Sequence, residues 1–509
     1  MKRLWGRARA SLPAIIVGIT VAVFGAVPAV AQTLPSVAHQ FSGVWWGGAQ
    51  VSRLVPMDGK PLPFTAAGRQ LFLKNAANLK SGALVDQADY KCTPQGMPRA
   101  MTSAYPFQII VTSRMIVFAH EQNRAYRIVA VADHHQDPKT WDPSYMGDGI
   151  AHVEGSSLVV DSTNFKSDAI FLDSTGIPVS DKLHLVEHLS LIDDGNRLQD
   201  LITVDDPGIF TRPWTARLVF ERRDDVRVRM DWVCGASHPL PAASAGPQTH
   251  AKLRRLSATA LTAEQAAMSG YWHMAMGWPG NPGSAKGTPG GKPGSGGFVR
   301  PMAAFTPVAA AYHAAEQKQV AAGKAIYDPH TLCLPDMLPG KYDGGAYQSA
   351  IFVEPQQVTI LDEDGRGMIS IYIDQDHPAH PQPTWSGDSV GHWEGNTLVV
   401  DSVGFNDRNV VSNDAHVPTT AKLHIVQRLT PLPTGQIEVK VRYEDPDVFV
   451  QPLVQTINLQ QGTPWQEYVC QESNLEGGYP TSSGKPQPAM SGWEPRPQSP
   501  IAIPGYTVP

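Results

Sequence analysis

The sequence predicts a mainly β protein made of two copies of one domain, each a barrel or a curled antiparallel sheet with one short helix. Three observations lead there. One stretch occurs twice: GDGIAHVEGSSLVVDSTNF at 147–165 and GDSVGHWEGNTLVVDSVGF at 387–405 share eleven of nineteen residues at an offset of 240. A match of that density in a 509-residue chain marks a tandem duplication. Short runs rich in Val, Ile and Leu, separated by turn residues, fill most of both copies. The 45 glycines and 44 prolines favour many turns over long helices.

The chain begins with the three parts of a secretory signal: the positive residues Lys2, Arg3, Arg7 and Arg9, an apolar run from Ala14 to Val27, and the small-x-small site Ala29-Val30-Ala31. Residues 1–31 are therefore expected to be removed, leaving a mature chain that starts at Gln32 and lies in the periplasm or outside the cell. Those residues hold four basic and no acidic groups, so cleavage takes the net charge from -6 to -10. An acidic exported chain is a poor partner for nucleic acid, and no later segment has the ~20 apolar residues of a membrane span.

The first repeat is expected over 41–236, a linker over 237–267, the second repeat over 268–475, and a disordered tail over 476–509. Each repeat opens on an aromatic strand, Phe41-Ser-Gly-Val-Trp-Trp46 and Met268-Ser-Gly-Tyr-Trp-His273. A helix follows, with Thr65 or Thr306 as its N-cap and Pro307 at the first helical position, where a missing N–H costs nothing. The strand runs of the first copy are 107–111, 115–120, 126–131, 157–161, 182–189 and 198–204. Those of the second are 350–353, 358–361, 369–373, 397–401, 422–429 and 436–443. Six or more short strands at hairpin spacing point to a lipocalin-like barrel or curled sheet. A short helix is expected at Thr262 to Met268. The Gly- and Pro-rich insert Gly277 to Gly297 reads as a mobile loop.

The four cysteines, Cys92, Cys234, Cys333 and Cys470, fall at matching places in the two copies. In an oxidising compartment they are expected as disulfides, and of the three possible connectivities duplication favours Cys92–Cys234 with Cys333–Cys470. Each would close a long loop, worth on the order of 4–5 kcal/mol in the chain-entropy model. No CxxC or neighbouring His favours metal ligation instead.

The candidate catalytic residues come in repeated pairs: His152 and Glu154 with His392 and Glu394, Asp161 with Asp401, and His184 with His424. Residues two apart on a strand share a face, so His152 and Glu154 point the same way. Alternation likewise groups His184, Val186 and His188, facing either solvent or a polar lumen. An imidazole in a lumen is a potential general base near neutral pH; a hydrogen-bonded strand histidine is the plainer explanation. Arg212 and Trp214, replaced by Gln451 and Leu453 in the second copy, are candidate ligand-binding residues of the first copy alone. Two loop clusters, Asp133, His134, His135 and Asp137, and Asp374, Asp376, His377 and His380, carry metal-ligand residue types. They sit in Pro-rich loops and do not match residue for residue, so no metal site is assigned, and no cofactor is named. HExxH, GxSxG, P-loop and CxxCH motifs are absent, as is a GxGxxG in a strand–helix setting.

The run Gly391-His-Trp-Glu-Gly-Asn-Thr-Leu-Val-Val-Asp-Ser-Val-Gly-Phe-Asn-Asp407 resembles a group of secreted bacterial proteins with a WEGDTLVVDT-type signature. Cys92 to Arg99, Asp206 to Trp214 and Tyr468 to Cys470 match further segments of that group, so the resemblance covers nearly all of both copies. It implies an exported β-rich fold and no settled reaction. Copy one departs from the signature at Val153, Ser156 and Ser157, and copy two departs from the pattern at Gln451 and Leu453.

The leading functional expectation is a site for a small, largely apolar molecule in a barrel or in the cleft between repeats. Such a site suits a binding protein. It equally suits a cofactor-independent lyase, isomerase or hydrolase that moves protons with His and Asp or Glu. A structural envelope module is the third class. Convergence of His152, Glu154, Asp161 and His184 on one pocket separates these readings.

Overall fold

The computed structural model describes residues 34–231, 260–274 and 304–470, apart from 35, 85, 87, 89–92, 169, 323–328, 330–332, 336, 341–347, 364–366 and 413–416. The signal segment, the 277–297 insert, the tail, most of the linker, and Cys92 and Cys234 with their expected bond lie outside the described residues. Cys333 and Cys470 are joined, with sulfurs 2.05 Å apart, as duplication predicts. Among the described residues no helix is long and apolar enough to cross a membrane.

Nine strands close the first barrel: β1 (Gly43–Trp46), β2 (Phe107–Val111), β3 (Met115–His120), β4 (Tyr126–Ala130), β5 (Asp148–Glu154), β6 (Ser157–Thr163), β7 (His184–Ile192), β8 (Arg197–Asp205) and β9 (Trp214–Arg222). The second barrel repeats the order with β10 (Gly270–Met274), β11 (Ser349–Val353), β12 (Gln357–Asp362), β13 (Met368–Ile373), β14 (Asp388–Glu394), β15 (Thr397–Val403), β18 (His424–Pro431), β19 (Ile437–Glu444) and β20 (Leu453–Gln461). A small hairpin, β16 (Val410–Ser412) and β17 (Val417–Pro418), stands apart. The barrels are not wholly antiparallel. β4 pairs with β5 in parallel, as β13 does with β14, so a crossover loop must run back along each wall at 131–147 and 374–387. A parallel pair cannot be joined by a tight turn.

Helices among the described residues include α1 (Ala66–Ser81), α2 (Ala263–Ala266) and α3 (Pro307–Ala321). Thr65 Oγ1 accepts from Gly68 N at 2.9 Å, and Thr306 Oγ1 from Ala309 N at 3.3 Å. Gly68 lets α1 approach the β8–β9 turn: a Cβ there would stand 2.4 Å from the Ile209 carbonyl oxygen. α2 starts with a full capping box between Thr262 and Gln265.

Alternation sorts each wall into two faces. In β7, Leu185, Glu187 and Leu189 are buried, while His184, Val186 and His188 are half-buried on the outside. The lumen of the first barrel is filled by side chains such as Ile109, Phe118, Val160, Leu198, Ile202 and Phe220. Set among them is a charged cluster. Arg127 donates to Glu187 at 2.5 and 3.1 Å and lies 4.4 Å over the Phe118 ring. Asp200, on β8, is fully buried with neither oxygen hydrogen-bonded. Burial, and then the charge of Glu187, push its carboxyl well above the usual range. Strand register matches Arg127, Glu187 and Asp200 with Ile369, Gln427 and Val439, so the second barrel carries no such charges at these positions.

β2 and β3 break the alternation: every residue is buried, as in β11 and β12. Their outer faces pack against each other across the two barrels, through Ile110, Val117 and Ala119 on one side and Ala350, Phe352 and Leu361 on the other. Beyond β9, residues 223–231 continue onto the second barrel, where Arg227 pairs with Asp388 and Asp231 accepts from Trp385 N at 3.3 Å. Beyond β20 the chain returns the contact: Glu467 accepts from Tyr145 N at 2.6 Å and Trp465 donates to Tyr126 at 3.2 Å. Asp231-Trp-Val-Cys and Glu467-Tyr-Val-Cys are matching segments, as are Tyr145 and Trp385, so the barrels exchange arms reciprocally.

Replacing Arg127 with Met leaves Glu187 buried without its cation and is expected to cost about 3–5 kcal/mol in urea unfolding. The triple change Arg127→Ile, Glu187→Gln and Asp200→Val, which installs the second barrel's residues, is expected to be near neutral. A cost below about 1 kcal/mol for Arg127→Met would show that the pair does not hold the lumen together.

Candidate functional site

The duplicated stretch is explained first by backbone. Gly147 and Gly387 have φ of +76° and +71°, and a Cβ at either would strike Phe165 or Phe405, the last residue of the repeat. Gly155 and Gly395, at φ +62° and +60°, open the two-residue turns of the β5–β6 and β14–β15 hairpins. Leu158, Val160, Leu398 and Val400 face the lumens.

Its polar residues stand on the outer walls. His135, from the first crossover loop, bridges Asp148 and Asp161 at 3.1 Å each, and His184 Nε2 meets Asp161 at 2.8 Å. The second copy repeats the chain: His377 bridges Asp388 at 2.8 Å and Asp401 at 2.9 Å, and His424 contacts Asp401 at 2.9 Å and Glu444 at 3.1 Å. Hydrogen bonds donated to Asp148 and Asp161 push His135 up to about 9. Burial works against the charge of His377, but its bonds to Asp388 and Asp401 outweigh that and push it up to about 9 as well. Both are imidazolium ions at neutral pH, and Asp161, Asp388 and Asp401 are held below the ordinary carboxylate range. Nitrogens and oxygens face one another in pairs at hydrogen-bond separations. The arrangement is a charged clamp that ties the crossover to the wall, and an imidazolium locked between two carboxylates is unsuited to act as a base near pH 7.

The structure thus brings Asp161 to His184 and Asp401 to His424, but not to the other candidates. His152 and Glu154 share a face as alternation requires, one pleat nearer the hairpin, where they bond each other at 3.0 Å in solvent. His392 and Glu394 do the same at 3.4 Å, with Arg428 donating to Glu394 at 2.6 Å. Arg212 and Trp214 point apart: Arg212 is exposed and pairs with Asp58 at 3.2 Å, while Trp214 is buried against Phe210 in the core. They form no common ligand site.

A large cavity lies elsewhere. A cleft of about 950 Å³ separates the barrels beside their packed faces. Its walls come from the start of β1 (Ser42, Gly43, Val44), the β7–β8 turn, Arg222 to Asp224, the linker end at Leu261, and the β11–β12 turn from Val353 to Gln357. Apolar surface comes from Val44, Leu191, Val226, Leu261 and Val353; Gln108 and Gln357, bonded to each other at 2.9 Å, supply amides. Glu354 is the acid of this wall. Its Oε1 accepts from the Ser42 hydroxyl in a short bond and from Val111 N at 3.3 Å. Burial pushes the carboxyl up to about 7 against the lowering effect of those two donors. It crosses from one repeat to the other, and register sets Thr112 at its place in the first copy.

Sequence reasoning passed over Glu354, which belongs to no motif and stands where the first repeat has Thr112; Ser42 lies in the repeated opening strand, matched by Ser269, and nothing in that repeat points to its contact with Glu354. His135 and His377 were visible only as parts of loop clusters. They match at an offset of 242, because the second crossover is two residues shorter, and a fixed offset of 240 hides them. Comparison of the chain with protein-family models and with curated proteins finds no match.

The clamps make stability depend on pH in a defined sense. His135 and His377 titrate higher when folded than the ordinary 6.5, so their contribution is complete below about pH 6.5 and is lost as pH rises through about 9. The depressed aspartates contribute above about pH 4 and are lost as pH falls further. Unfolding free energy should therefore fall between pH 6.5 and 9.5 in the natural chain and fall less in the His135→Gln, His377→Gln double variant. Parallel profiles for the two proteins would refute the clamp.

Proposed function

We propose that this is an exported protein that binds a small molecule in the cleft between its two barrels, with Glu354 receiving the polar end of the ligand. The observation that carries the reading is a carboxyl group on a cleft wall whose ionisation is brought to about pH 7 by burial. The barrel lumens are filled by packed side chains, which leaves the cleft as the better of the two expected locations. Its mixed walls suit a ligand with an apolar body and a hydrogen-bonding group better than a purely apolar one.

The same carboxyl supports a second reading, proton transfer on the bound molecule without a cofactor. A general acid or base works best when its pKa lies near the working pH, and among the acids of the cleft Glu354 meets that condition. Ser42, in short contact with it, is the neighbouring hydroxyl through which a proton can pass. The wall clamps have the complementary role of fixing the crossovers.

Native mass spectrometry of the mature chain, purified gently from the periplasm of its own host, tests the binding reading. A small organic adduct is expected, lost on denaturation and depleted at least tenfold in Leu261→Arg, which fills the cleft mouth with a cation. A bare polypeptide mass, together with no melting shift from a broad panel of small molecules, would refute it.

A further inference from the structure

We propose that the cleft takes a small organic cation, a protonated amine on an apolar body, with its ammonium group held at Glu354. This rests on the small-molecule reading of the cleft.

The inference comes from how charge is distributed around that wall. The donors to Glu354, the Ser42 hydroxyl and the Val111 amide, are neutral, and both meet Oε1. Among the described residues no Lys, Arg or His pairs with it. The two arginines of the cleft are engaged elsewhere. Arg222 donates to the carbonyls of Gly195, Ser42 and Gln40 and lies 4.2 Å over the Trp45 ring. Arg223 is gripped by both oxygens of Asp225, at 2.7 and 2.8 Å. The remaining charged or titratable groups of the cleft lining are His39, Asp194, Asp224 and Tyr372, none of them a further Lys or Arg.

Other enclosed carboxyls of the fold are met either by a cation, as Glu187 is by Arg127, Asp388 by Arg227 and Asp86 by Arg99 at 2.6 Å, or by several neutral donors, as Asp173, Asp206 and Asp445 are. Glu354 is half-buried, with both of its neutral donors on one oxygen, so a ligand ammonium beside it favours its charged form, whereas a ligand carboxylate opposes it. The second oxygen of Glu354 is the one that the protein's own donors leave for the ligand. Val44, Val226, Leu261 and Val353 give the apolar body a surface to cover.

Three probes with one apolar body make the test: benzylammonium, benzyl alcohol and benzoate, titrated calorimetrically into the folded mature chain at pH 7.5. Benzylammonium is expected to bind at least tenfold more tightly than benzyl alcohol, with benzoate weakest. Glu354→Gln, and Glu354→Thr, which carries the side chain type of Thr112 in the first repeat, should erase the preference while melting like the natural protein. Because Glu354 must lose its proton to pair with a cation, benzylammonium affinity should rise from pH 6 to pH 8. It should do so equally in His39→Gln, which removes the imidazole of the cleft lining.

Equal binding of the alcohol and the amine would overturn the cation and leave the small-molecule reading standing. A preference that survives in both Glu354 variants would overturn the role of this carboxyl. Binding of none of the three probes would overturn the inference as well, with the copurified adduct deciding the broader reading independently.

Discussion

The rest of the molecule depends on one apolar seam. β2–β3 of the first barrel and β11–β12 of the second are buried on both faces, because each barrel uses the other to cover its outer wall there. At about 25 cal/mol per Å² of apolar surface, exposing such a wall would cost a domain much of its net stability. The seam also fixes where everything else goes. It brings the β11–β12 turn onto the start of β1, so that Glu354 lands on Ser42, and it opens the cleft beside that meeting point. The arms after β9 and β20 lie across the same junction, each completing the other barrel. Two repeats in one chain are therefore one structural unit.

Within that unit the copies have kept different things. The outer-wall chain of Asp, His, Asp and His is present twice with nearly the same distances. Its chemistry explains why: each crossover must leave a strand, run back and rejoin in parallel, and an imidazolium between two carboxylates pins it at the turning point. The lumen has diverged instead. Arg127, Glu187 and Asp200 in one barrel face Ile369, Gln427 and Val439 in the other. A buried ion pair is seldom better for stability than apolar packing, so both solutions fill a barrel. Repetition in this chain follows the demands of the backbone, and Glu354 has Thr112 at its place in the first repeat.

Much of this architecture was legible. Duplication, the capped helices, the strand runs and the Cys333–Cys470 bond follow from residue order alone. The parallel pairing of β4 with β5 was not legible, since a parallel strand and an antiparallel one of this length read alike. The sites were harder. His152 and Glu154 do share a face, yet periodicity says nothing about which neighbour lies across it, and one pleat separates them from the Asp161 network. His135 was hidden by a two-residue change in loop length. Glu354 has no periodic, motif or repeat signal, and its meaning comes wholly from a residue 312 positions away.

The contrast between clamp and cleft decides which carboxylates are chemically available. Asp161 and Asp401 each accept from two histidines, and those bonds hold them ionised below the ordinary carboxylate range. A group so committed gives up a proton readily and takes one back poorly. Asp200 is the opposite case: burial raises its carboxyl well above that range, inside a packed lumen. Glu354 lies between them. Two neutral donors stabilise its charge enough to offset part of the burial and no more, and it borders open space. A carboxyl balanced in this way changes state when something of defined charge arrives beside it. That property is what a binding or proton-transfer site requires, and neither the clamps nor the lumen has it.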